Sequence, residues 1–340
     1  MAKGRSRLCF RPNWQIPHAM NDHIVHDHST DGVDRRGFLK CMAWAGTGVL
    51  WSLNAGVLTS RALGQTADVA ALPTPAGTLN FVQISDSHIG FRKPANMDVA
   101  ATFRETITRI NALPAAPEFI LHTGDLTHLA EASEFDLLEQ MVKDCRAKQV
   151  FYVPGEHDIL NDNGAQYRER FGKDTRGQGW FSFDQKGVHF VGLVNVQGIT
   201  EGGLGVIGTA QLDWLEKDLA SLSADTPLVV FAHVPLWMVY PKWGWGTDDG
   251  AKALALMKRF GSVTVLNGHI HQALQKIEGN MTFHTARSTA FPQPAPGTAP
   301  APGPMTVPAE KLRTLLGITS VAVKVGDRAL AITDTALASA

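Results

Sequence analysis

Cysteine is scarce in this chain, with three in 340 residues, and that scarcity excludes thiol chemistry early. Cys9 and Cys41 fall in a stretch that reads as a targeting segment, which leaves Cys145 alone. A single thiol can form neither an intrachain disulfide nor a thiolate zinc site. Charge of one sign is missing too. Lys+Arg at 31 against Asp+Glu at 32 gives a formal net charge of -1, which argues against a nucleic-acid partner, since such proteins carry a basic excess or stripe. The N-terminal apolar run, residues 41–58, is interrupted by Gly46, Gly48, Ser52, Asn54 and Gly56, so no stable membrane span is expected there after processing. What remains, 44% hydrophobic and 19% charged, is the make-up of a globular protein with enough chain to bury a sizeable core.

Residues 1–64 do not read as part of that core. Arg35-Arg36 precedes Gly37-Phe38-Leu39-Lys40, then the broken apolar run, then Arg61-Ala62-Leu63-Gly64. A basic pair, an apolar region and small residues follow the order of a secretory signal, and the paired arginines resemble the twin-arginine export signal of bacteria. Asp34 stands where that pattern has Ser or Thr. The expectation is a signal peptide over 1–64, read by the twin-arginine export machinery, and a periplasmic protein. The alternative is a membrane anchor formed by an uncleaved signal. His18, His23, His26 and His28 precede the signal and are not counted as ligands. Residues 65–78, with Pro73, Pro75 and Gly77, read as a linker into a domain spanning 79–340.

From Leu79 onward, apolar β-like runs alternate with helical patterns, the signature of α/β architecture. The periodicity predicts helices over 94–113 and 132–147. Five β-runs each end in ionisable side chains: Asp86-Ser87-His88, Gly124-Asp125, Gly155-Glu156-His157-Asp158, His233, and Gly268-His269-Ile270-His271. Ligands in α/β sheets bind beyond the carboxyl ends of the strands, so these side chains are aimed at one place. Imidazole and carboxylate without thiolate suit iron, manganese or zinc, and seven such ligands are enough for two ions that share a carboxylate.

This ordered set resembles the calcineurin-like metallophosphoesterase family over roughly residues 79–285. The resemblance implies an α/β fold, a β-sandwich of two sheets flanked by helices in four layers, with a binuclear metal centre. It implies that Asp86, His88 and His271 bind a first metal, that Asp125 bridges, and that Glu156, His233 and His269 bind a second. His157 would meet the phosphate or the leaving group, with Asp158 beside it in the same catalytic turn. Two cations about 3.5–4 Å apart acidify a shared water and neutralise phosphate charge. The expected activity is hydrolysis of a small-molecule phosphate ester, a phosphodiester such as a cyclic nucleotide being favoured over a monoester.

Two features depart from the family pattern. Glu156 occupies a position that relatives fill with asparagine, which turns a neutral ligand into an anion; the alternative function is therefore a periplasmic metal- or ligand-binding pseudoenzyme. His128 stands where many relatives carry an acid that orients the catalytic histidine, and both His128 and His122 read as hydrogen-bonded core residues. Three further features bear on substrate and fold. Trp237, Tyr240, Trp243 and Trp245 follow His233 and serve either to stack an aromatic substrate group or simply to pack their loop. Lys242 and Arg287 are candidate phosphate contacts. Residues 286–310, rich in Pro and Ala, read as an irregular loop, and 318–333 as a closing hairpin.

Overall fold

A computed structural model of the chain describes residues 48–54, 57–63, 77–199, 203–324, 326 and 330–338. Strands β1 (Gly48–Asn54) and β2 (Val57–Leu63) form a two-stranded sheet of their own. Arg35 and Arg36 lie outside the described residues. Among those described, no helix is long and apolar enough to cross a membrane.

Two mixed sheets follow. The first has five strands in the order β13-β12-β3-β4-β5, with β3 Thr78–Ile84, β4 Phe119–His122, β5 Val150–Tyr152, β12 Gly317–Lys324 and β13 Ala331–Ala336. The second has six strands in the order β10-β11-β9-β8-β7-β6, with β6 Phe181–Gln185, β7 Val188–Gly192, β8 Leu228–Ala232, β9 Val263–Asn267, β10 Leu274–Glu278 and β11 Met281–Thr285. The period-two geometry of a strand sorts its side chains between layers. Leu79, Phe81, Phe119 and Leu121 of the first sheet meet Phe190, Val229, Phe231 and Leu266 of the second in one core. Val82, Ile84 and Ile120 face the other way, onto α1 (Val99–Asn111) and α2 (Ala132–Val142). Leu228, Val230 and Val265 likewise face α4 (Thr209–Ala220) and α5 (Gly250–Met257). Helix α3 (Ala165–Phe171) joins the first outer layer through Tyr167. The result is helix, sheet, sheet, helix, and burial on both faces explains why β8 is an unbroken apolar run and why β4 and β9 are apolar but for His122, Thr264 and Asn267.

Two predicted helices are shorter than their periodicity implied. Asp98 caps the start of α1 by accepting from Ala101 N at 2.9 Å, so residues 94–98 stay outside it. At the end of α2 the chain is diverted to Asn111, whose side chain donates to Asp144 O and accepts from Arg146 N. The closing strands β12 and β13 do extend the first sheet, antiparallel beside β3, although β13 begins later than the hairpin pattern implied.

A buried histidine ties the edge hairpin to its helix. His189 Nδ1 lies 2.8 Å from Asp184 and Nε2 lies 2.9 Å from Asp218. Burial would lower its pKa, but hydrogen bonds to Asp218 and Asp184 raise it above the usual value. A folded-state pKa above the unfolded one, about 6.5, stabilises the fold below that pH, and the contribution is lost as pH rises through the raised value. The stability gap between wild type and His189→Gln is therefore expected to be larger at pH 6 than at pH 9. Urea midpoints at the two pH values check this, and a gap independent of pH would refute it.

Candidate metal centre

Register brings the motifs together before any side chain is considered. Ile84 pairs with His122 and His122 with Tyr152, so β3, β4 and β5 end level, and Ala232 pairs with Asn267 at the ends of β8 and β9. Gln83 spans the two sheets, donating to Thr123 Oγ1 and Asn267 O, both at 3.0 Å. The turns beyond are held in unfavourable backbone. Asp86, His88, Asp125, His269 and His271 have φ of 55°, 42°, 53°, 70° and 53°, in the left-handed region that non-glycine residues avoid. Such conformations cost on the order of 1–3 kcal/mol each and persist where the surroundings impose them. Two motif glycines let these turns touch. A Cβ on Gly155 would stand 2.0 Å from Asp125 Oδ1, and one on Gly268 would stand 1.9 Å from Ser85 Oγ.

Seven predicted ligands converge in two groups. In the first, His88 Nε2 lies 3.2 Å from His271 Nε2 and 3.4 Å from Asp125 Oδ2, while His271 Nε2 lies 3.3 Å from Asp86 Oδ1. In the second, Glu156 places one oxygen 3.0 Å from His233 Nε2 and the other 3.0 Å from His269 Nδ1. The groups meet at Asp125, whose Oδ2 is also 3.4 Å from His233 Nε2.

The chemistry of these donors fits cations. His233 Nδ1 faces Thr123 O at 2.7 Å and His271 Nδ1 faces Phe291 O at 2.6 Å. A carbonyl only accepts, so each Nδ1 carries the hydrogen and Nε2 is the atom left to turn a lone pair inward once the ring is neutral, the arrangement of a ligating histidine. Burial, together with the nearby His157 and His271, holds His88 well below its ordinary pKa, hence neutral and able to ligate. Glu156 Oε2 is buried without a hydrogen-bond partner despite its nearness to His233. Burial would raise the Glu156 carboxyl, but His269 and His233 outweigh it and hold it well below the carboxylate range. Burial would likewise depress His233, yet Asp125 and Glu156 raise it well above its usual value. The carboxylates call for positive charge at this spot, which a proton or a metal ion can supply.

His157 and Asp158 part company. His157 lines the cavity, its N–H donating to Asp125 Oδ1 at 3.0 Å and its Nδ1 facing His128 O at 2.7 Å. Burial lowers its pKa, but Asp125, Glu156 and that carbonyl outweigh it and leave it raised. Asp158, expected in the catalytic turn, points away from the cavity. It is fully buried and accepts from Leu126 N, Thr127 N, Thr127 Oγ1 and Gly155 N. It clamps the Asp125 turn to the Gly155 turn. Burial and nearby Asp125 push its carboxyl up to about 7 against those four donors.

His128 also differs from expectation. It lines the cavity instead of sitting in the core, and its ring stacks on His157 with centroids 4.9 Å apart. The orienting acid missing at this position is replaced by the His128 backbone carbonyl. His122 is the buried residue it was expected to be, with Nε2 against Ser87 Oγ.

The cavity over the clusters has a volume of ≈ 770 Å³. Of the four aromatics after His233, Trp243 and Trp245 line it, whereas Trp237 packs on Phe283. Neither Lys242 nor Arg287 is part of the lining; Arg287 donates to Thr314 O, and Lys93 supplies the cation instead. The Pro/Ala-rich segment was the main omission of the sequence reading. Phe291, Gln293, Pro302, Gly303 and Pro304 line the cavity, and Gln293 donates to His269 O at 3.0 Å. Ser288 Oγ holds Asp86 O at 2.8 Å. The segment's composition, rich in Pro and Ala without periodicity, carries no signal that marks Gln293 or Ser288.

Two packed sheets with imidazole and carboxylate converging at their strand ends define a metallohydrolase. The chain belongs to the calcineurin-like phosphoesterase family, whose pattern matches residues 79–273, and it is a phosphoric ester hydrolase. It is 27% identical over 232 residues to serine/threonine-protein phosphatase CPPED1 of Danio rerio, covering 58% of this chain and 71% of that protein. It is 24% identical over 226 residues to a 3',5'-cyclic-nucleotide phosphodiesterase of Nostoc, covering 63% and 79%. A probable glycerophosphodiester phosphodiesterase of Arcobacter nitrofigilis is 28% identical over 215 residues, covering 61% and 77%. In fold, the chain matches a dimetal phosphatase from Danio rerio with TM-score 0.56 and 14% identity, covering 76% of this chain and 96% of that one.

Proposed function

We propose that the chain is a two-metal phosphodiesterase. Asp86, His88, Asp125 and His271 would hold one cation, and Asp125, Glu156, His233 and His269 the other. The observation that carries this reading is Asp125 Oδ2 at 3.4 Å from both His88 Nε2 and His233 Nε2. The donor set suits iron, manganese or zinc. When bound, such ions supply Lewis-acid charge for phosphate oxygens and acidify water. His157, its Nδ1 committed to the His128 carbonyl, presents Nε2 to hand a proton to the departing ester oxygen.

Glu156 favours a diester. Asp86, Asp125 and Glu156 offset most of the charge of two divalent ions, so a dianionic monoester is held less well than a monoanionic diester. The names of the relatives from Nostoc and Arcobacter, a cyclic-nucleotide and a glycerophosphodiester phosphodiesterase, support the same choice. The metal-loaded enzyme is expected to show higher kcat/KM on bis(p-nitrophenyl) phosphate than on p-nitrophenyl phosphate. Glu156→Asn should narrow that ratio by about tenfold, the equivalent of roughly 1.4 kcal/mol, and should lose metal on dialysis. Equal rates and equal metal content in both proteins would sink the charge argument. Bound metal with no turnover of any ester would favour the binding-protein alternative.

Export by the twin-arginine route to the periplasm belongs to the same proposal and rests on Arg35-Arg36 and the run that follows. Replacing both arginines by lysine should leave the activity in the cytoplasmic fraction. Unchanged periplasmic activity would remove the twin-arginine route from the reading.

A further inference from the structure

The cavity is larger than a phosphate group needs. At ≈ 770 Å³ it falls in the range that houses a whole organic ligand. Beyond the ligand clusters its lining is largely apolar, with Ile159, Leu160, Ile199, Trp243, Trp245 and Pro304 among the contributors. Trp243 and Trp245 meet edge to face at 5.1 Å, and Tyr240 braces Trp243 at 5.2 Å. Both indoles are packed into the fold, Trp243 6% and Trp245 1% exposed beside Ile270 and Leu274, so they back the cavity rigidly and leave the accessible apolar lining to other residues. Leu160 leaves 54% of its surface exposed at the same cavity.

The polar side chains left to a ligand are few. Among the described lining residues Lys93 is the only Lys or Arg, so a second phosphate on the arm would meet a single cation beside the carboxylates of the clusters. The Gln293 amide is already engaged, Nε2 donating to His269 O and Oε1 accepting from Gly303 N. A hydroxyl-rich arm such as glycerol would find Asn163, Lys93 and His128 and little else outside the metal ligands and His157.

Building on the diesterase reading, we propose that this cavity is a specificity pocket for phosphodiesters whose non-leaving arm is a bulky apolar group such as a benzyl ring, and that it discriminates against polyol and phosphorylated arms. The ring lies among the accessible apolar groups of the lining, Ile159, Leu160, Ile199 and Pro304, while the phosphate stays at the clusters. Burying a ring-sized apolar group is worth tenfold or more in transition-state binding.

The test uses the metal-loaded full chain and three esters that release the same p-nitrophenolate: benzyl, methyl and 2,3-dihydroxypropyl p-nitrophenyl phosphate. The methyl and benzyl arms carry no internal nucleophile and are closely matched at phosphorus. The 2-hydroxyl of the dihydroxypropyl arm can itself expel p-nitrophenolate and leave a cyclic phosphate, so for that ester only turnover above the uncatalysed rate that yields the open-chain phosphate is counted. The benzyl ester should show a kcat/KM about tenfold or more above the other two, and Leu160→Asp should shrink that ratio. A benzyl ester no better than the methyl or dihydroxypropyl ester overturns the pocket while leaving the diesterase reading intact. No turnover of any of the three by metal-loaded protein defeats the diesterase reading and this inference with it.

Discussion

Asp125→Asn is expected to lower kcat/KM on a chromogenic phosphodiester by at least about 10³-fold and to deplete bound metal, for reasons that lie in the placement of one carboxylate. Removing a single preorganised donor from a hydrolytic site typically costs about 10²–10³. Asp125 does more than such a donor. Its Oδ2 serves both His88 and His233, and its Oδ1 fixes the backbone of His157. The amide keeps the shape but removes the negative charge that both clusters share, so cation affinity falls at both. Asp125 is 2% exposed, and a neutral group there is easier to bury than a charged one, so the fold should survive. Circular dichroism checks the fold, elemental analysis the metal, and steady-state kinetics the rate. Activity within tenfold of wild type at full metal content would show that Asp125 does not link the clusters.

His157→Asn should cost about 10²–10⁴ in kcat, the range for a positioned proton donor. The dependence on leaving group separates that role from a merely structural one. An alkoxide leaves poorly and needs the proton, whereas p-nitrophenolate leaves well without it. The loss should therefore be larger for esters of alkyl alcohols than for p-nitrophenyl esters. A uniform loss across leaving groups would mean that His157 positions substrate without protonating anything. The backbone geometry sharpens the expectation: a carbonyl at 2.7 Å orients the ring as an acid would, but its partner carries no charge. His128→Ala keeps that carbonyl and removes only the stacked ring.

The metal-centre candidates were legible because their chemistry is written locally. Asp86, His88, Asp125, Glu156, His233, His269 and His271 each follow a β-run, and a strand ending in a carboxylate or imidazole beside glycine has few packing explanations. The four layers were legible for a related reason: strands buried on both faces are predominantly apolar, and α1 and α2 carry helical periodicity. Element ends were less so, since Asp98 sets one through a single hydrogen bond and Asn111 the other through two. Asp158 illustrates the limit within a motif. It neighbours His157 in sequence, yet a turn of 3-10 helix sends its carboxylate to Leu126 and Thr127 and the imidazole to the cavity.

By itself the sequence determined the donor inventory, the absence of thiolate chemistry and the family, because ligand type and motif order are properties of the chain. Tertiary structure alone decided that Asp125 stands between two clusters, that the His128 carbonyl takes over from a missing acid, and that residues 291–304 contribute to the cavity over the site. A segment of proline and alanine has no periodicity to read. Its place is set by hydrogen bonds from Gln293 and Ser288 to the backbone of His269 and Asp86, residues far from it in the chain and adjacent only once the two sheets have packed.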